Sequence, residues 1–90
     1  MKMYSLYDCK SMQFTHPFGQ INDSCAMRVV AADMRKEGTL VQACPQDFTL
    51  YLTGEFDEQK GTFVSIDAPV LVERVDLIYE KIYQSTLGAE

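Results

Sequence analysis

The sequence predicts a two-layer α+β domain in the order β-α-β-β-α, a small, mostly antiparallel sheet with two helices packed on one face. Three observations lead there. Residues 48–56 alternate apolar and polar side chains, and a charged loop ending in Gly61 leads into a second alternating run; a period of two marks a strand. Two other segments, 22–36 and 70–85, carry apolar residues at helical spacing. The chain has 90 residues, enough for one domain that buries only about 60–65% of its extended surface. A single domain over residues 1–90 is expected, its tail frayed from about residue 86.

The elements follow in order. Residues 3–8, MYSLYD, make a first strand with Tyr4 and Leu6 on one face and Met3, Ser5 and Tyr7 on the other. Residues 9–21 are irregular, because Pro17 disfavours helix at His16 and Gly19 marks a bend. Phe14 and Phe18 then plug an edge of the core or meet a partner. The first helix spans 22–36, with Asn22 as its N-cap and Asp23 opposing the helix dipole. Its buried stripe is Cys25, Ala26, Val29, Val30 and Met34, and Gly38 takes the left-handed position beyond it. Leu40 and Val41 suit a short extended piece before Pro45.

In the strand over 48–56, Phe48, Leu50, Leu52 and Phe56 fall inside with Gly54. Thr49, Tyr51, Thr53 and Glu55 fall outside. The expected hairpin register sets Phe56 opposite Thr62, Gly54 opposite Val64 and Leu52 opposite Ile66. Asp67, Ala68 and Pro69 close that strand, with Pro69 suiting an early helical position. The second helix runs over about 70–85. Leu71, Val75, Ile78 and Ile82 form one stripe, and Val72, Tyr79 and Tyr83 widen it. The surplus is either a broad core face or a homodimer contact through Leu71, Val72, Val75, Tyr79 and Tyr83. The first two long strands, if adjacent, are expected to be parallel through a right-handed crossover.

Composition narrows the function. Net charge is −5, from 13 acidic and 8 basic residues, which disfavours coating nucleic acid by bulk charge or lying on an anionic membrane. Three cysteines without a CxxC pair are an odd set that suits a reducing compartment rather than a disulfide framework. The start, MKMYSLYDCK, is too short and polar for a secretory h-region, and no apolar run approaches the roughly 20 residues of a membrane span. The expected place is a cytoplasm.

Catalytic signals are lacking. His16 has no companion metal ligand, Cys44 has no base near it in sequence, and the carboxylates Glu55, Asp57 and Glu58 do not have calcium-loop spacing. The chain therefore reads as a binding protein, not an enzyme, with no metal and no cofactor. Two features suit nucleic acid. Tyr51 and Phe63 stand on the outer sheet face, where aromatic rings stack bases. Arg28, Arg35 and Lys36 gather charge along the first helix. Glu55 and Asp67, on the face of Tyr51, would repel phosphate.

A resemblance adds to this. The opening MKMYSLYDCKSMQFTHPF holds Tyr4-Ser5, then Tyr7-Asp8, then Pro17-Phe18; Ala26-Met27-Arg28 follows on the first helix, and PQDFTLYLTGEFDEQKG carries a block over residues 47–61. Together these resemble the small nonstructural protein of gokushovirus-type microviruses, phages with circular single-stranded DNA genomes. The resemblance covers the chain to about residue 80. It implies a protein of the infected bacterium's cytoplasm that binds single-stranded DNA. Its role would be in the switch from duplex replication to synthesis and packaging of single-stranded genomes. The alternative is an adapter that contacts a viral replication or capsid protein, or a host factor, without affinity for DNA.

Overall fold

The computed structural model describes the backbone of residues 1–88 and the side chains of residues 1–82. Strand β1 (Lys2–Asp8) is central. One flank pairs antiparallel with two short strands, β2 (Gln13–Phe14) and β3 (Phe18–Gln20). The other pairs with β4 (Phe48–Asp57), which pairs in turn with β5 (Thr62–Arg74), again antiparallel. Helix α1 (Asp23–Asp33), the single turn α2 (Leu40–Ala43) and a 3-10 turn at Pro45–Asp47 connect β3 to β4. Helix α3 (Val75–Gly88) follows β5.

The α+β class and the two helices on one face stand as the sequence predicts. Tyr4 and Leu6 of β1, Phe48 and Leu50 of β4, Ala26, Val30 and Ala31 of α1, and Val75 and Ile78 of α3 bury one another in a single cluster. Asn22 caps α1, its side chain accepting from the Cys25 N–H at 2.9 Å. The Tyr4 hydroxyl, at the base of this core, donates to Asp23 at 2.6 Å and so ties the start of α1 to the sheet. Burial first, and the Asp23 bond second, push the Tyr4 phenol well above its ordinary range.

Several expectations are corrected. The two long neighbouring strands are antiparallel, not parallel. Strands β2 and β3 fill the segment expected to be irregular, and they return the chain to Lys2, the start of β1. From there α1 and its turns lift it to Asp8, so β4 descends. Residues 40–43 are helical, capped by Thr39, which accepts from the Gln42 N–H at 3.1 Å. Helix α1 ends at Asp33, which leaves Arg35 and Lys36 in the turn beyond it.

The largest correction concerns β5. It runs for 13 residues, and α3 begins at Val75 instead of near residue 70. Pro69 does not start a helix. It lies in a bulge where residues 66–69 oppose the single residue Thr53, since Gly54 pairs with Ser65 and Leu52 with Val70. Proline is tolerated there because β5 is the outer strand. Thr53 is also the extra residue against β1, where Tyr4 pairs with Leu52 and Met3 with Gly54. One extra residue reverses the alternation. Gly54 and Phe56 therefore share the face of Tyr51, and Glu55 leaves it. The hairpin register moves by one, to Phe56 opposite Phe63. Gly54 is needed at this crossing: a Cβ there would stand 3.0 Å from the Val64 carbonyl oxygen.

Candidate nucleic-acid interface

Residues directly opposite one another in a sheet share a face, so the registers lay out the side that the helices leave open. One row crosses β2, β1, β4 and β5: Phe14, Tyr7, Thr49 and Arg74. The next is Ser5, Tyr51 and Leu71; then Met3, Gly54 and Ser65; then Phe56 and Phe63. Among the described residues, no carboxylate occupies a paired position on this face.

The rings form two groups. Tyr7 and Phe14 lie 4.9 Å apart between centroids, and Tyr51 meets both edge-on, at 6.5 Å from Tyr7 and 5.6 Å from Phe14. With Pro69 from the bulge they line an open, mainly apolar depression of about 320 Å³. Further along, Phe56 and Phe63 pair at 4.9 Å. Phe63 is 70% exposed and Phe14 45%. Tyr7, Tyr51 and Phe56 are half-buried. Large apolar groups are normally driven inside, so five rings gathered on the open face are the most informative feature of the surface.

The candidate residues separate. Tyr51 and Phe63 are on the open face, in different ring groups. Arg28, Arg35 and Lys36 belong to the helix layer, behind the sheet. Arg28 lies on the exposed side of α1, and Lys36 pairs with Asp33 at 3.1 Å. The residues proposed for a dimer contact also scatter. Leu71 and Val72 are on β5, and Leu71 is 60% exposed. Val75 is wholly buried in its own core, which leaves nothing for a partner to touch, while Tyr79 is at the surface. The Tyr83 side chain lies outside the described residues.

Sequence reasoning left Tyr7, Phe56 and Arg74 out of the site, and gave Phe14 only as a core plug or a partner contact. Gly54, a glycine inside a strand, was the available signal for Phe56, because such glycines mark bulges. Arg74 was hidden by the misplaced helix start. Its guanidinium contacts Asp76 at 2.6 Å. Beside it, Glu73 accepts a hydrogen bond from Lys81, and that bond, followed by the one from the Arg74 N–H, holds the Glu73 carboxyl below its usual range.

The tip carboxylates have local partners. Asp57 accepts from the Gln59 and Lys60 N–H groups, and Glu58 meets the Met1 ammonium at 3.0 Å. Among the described residues, no three His, Cys, Asp or Glu side chains are grouped to hold a metal ion, and no helix is long and apolar enough to cross a membrane.

A family model described as phage ORF5 protein matches residues 1–77. The chain belongs to this phage protein family. No curated protein and no solved structure matches it.

Proposed function

We propose that this phage protein binds single-stranded DNA on its open sheet face. It would act in the host cytoplasm, in the switch from duplex replication to synthesis and packaging of single-stranded genomes. The observation that carries the proposal is the set of five aromatic rings, two exposed and three half-buried, on an open sheet face without a paired carboxylate. Each stacked base contributes about 1–3 kcal/mol, so three give about 3–9 kcal/mol, which reaches micromolar affinity at the upper end. Duplex DNA hides its base faces and is refused. With Arg28, Arg35 and Lys36 behind the sheet, stacking supplies more of the affinity than charge does.

The test is fluorescence anisotropy of labelled oligothymidine at low and physiological salt, with duplex DNA as control. Tyr51→Ala should weaken binding about 5- to 150-fold, the equivalent of one stack, while Arg28→Ala with Arg35→Ala changes it little. The reverse pattern would move the site to the helix layer.

One observation favours a second reading, in which the partner is a protein or a second copy of the chain. Phe63, Val64, Val70 and Leu71 of β5 are all more than half exposed, and aromatic and aliphatic strands of this kind recognise protein without a basic patch. A stable complex or homodimer in light scattering, together with no DNA affinity at low salt, would select it.

A further inference from the structure

We infer that Arg74 is the phosphate anchor of this face, held by Asp76 until a single strand displaces the carboxylate. The inference rests on the single-strand reading above and specifies its one electrostatic contact. Arg74 stands opposite Thr49, at the end of the row that begins with Phe14 and Tyr7. Among the described residues it is the only cation at a paired position of the open face. Strands lie about 4.8 Å apart, so its backbone is roughly 10 Å from that of Tyr7, two strands away. A base on the Tyr7, Phe14 and Tyr51 rings leaves its phosphate within reach of a side chain as long as arginine.

The chemistry fits a planar, bidentate donor that recognises phosphate oxygens. The present partner is easily exchanged. Arg74 and Asp76 are both surface side chains, 56% and 29% exposed, and exposed pairs of this kind hold weakly. Asp76 keeps a second task without Arg74, because its other oxygen accepts from the Leu77 N–H at 3.1 Å. The carboxylate thus acts as a stand-in for phosphate. It holds the guanidinium at the first turn of α3 and sets a threshold that only a strand already stacked on the rings overcomes.

The geometry also fixes the footprint. The Thr49 and Phe56 rows are seven residues apart along β4, about 20 Å. Stacked bases rise about 3.4 Å each, so the face takes about six nucleotides between Arg74 and the Phe56–Phe63 pair.

Two variants test this by oligothymidine anisotropy across a salt series. Arg74→Gln should weaken binding several-fold and reduce the salt slope by about 0.7, the value for one phosphate on a single strand. Asp76→Asn retains the acceptor for Leu77 and releases Arg74, so it should tighten binding. A length series should gain affinity up to about six nucleotides and then level off. A thermal melt of each variant controls for folding. If the wild type binds while Arg74→Gln keeps its full salt slope, or Asp76→Asn does not tighten binding, the anchor is refuted and the platform stands. If the wild type binds no single strand even at low salt, the platform itself falls and the anchor with it.

Discussion

Replacing Tyr4 by phenylalanine should lower stability at neutral pH and also change how stability responds to alkali. The ring is wholly buried, and its hydroxyl donates to Asp23 at 2.6 Å. Hydrogen bonds to charged groups contribute about 1.5–3 kcal/mol. Asp23 is at the surface and regains water, so the lower part of that range applies, about 1.5–2 kcal/mol. For a domain of this size that is a fall of roughly 6–16 °C in Tm. The phenol ordinarily ionises at 10.0, and burial and Asp23 hold it higher in the fold. The unfolded chain therefore loses this proton first. The contribution is complete below about pH 10 and is lost as pH rises beyond it, at up to about 1.4 kcal/mol per pH unit. Tyr4→Phe lacks the group and loses nothing by this route, so the two proteins should converge near pH 11. Urea unfolding followed by circular dichroism at intervals from pH 8 to 11.5, with reductant present, gives both curves. Parallel curves throughout would refute the account of Tyr4.

Two other outcomes are expected. Glu73 has a lowered carboxyl pKa, so its contribution to stability is present above its ordinary value of 4.5 and is lost as pH falls through the folded value; Glu73→Gln should flatten that acid limb in the same unfolding assay. Leu50 is wholly buried at the centre of the sheet, so Leu50→Ala should cost about 2–5 kcal/mol, against less than about 0.5 kcal/mol for Leu71→Ala on the exposed face.

The sequence was most legible where a local rule has one solution. Asn22 caps α1, and Gly61 takes the positive φ of 70° that its turn requires; Gly38 has a positive φ of 86° but does not follow the helix end, whose cap is Met34. The inward side of the sheet was also readable, because Tyr4, Leu6, Phe48 and Leu50 alternate before any bulge intervenes. Legibility failed at Thr53. The alternation from Phe48 to Phe56 looks unbroken, yet one additional residue reverses it halfway and exchanges Glu55 for Phe56 on the open face. Pro69 failed for a related reason. Proline suits a helix start and an outer strand equally well, and only pairing with β4 decides between them. The site suffered most from these errors, since the row ending at Arg74 exists only once β5 extends past residue 70.

The bulge of β5 has a consequence for survival at high concentration. An outer strand of 13 residues offers a long template on which a neighbouring chain could add itself, the first step toward aggregates. Residues 66–69 break that template into two short runs. Pro69 brings a position without an N–H to donate, and Asp67 adds a charge that a growing stack would have to bury. The fold thus keeps an apolar, ring-bearing surface open while interrupting the strand edge on which another chain could add itself.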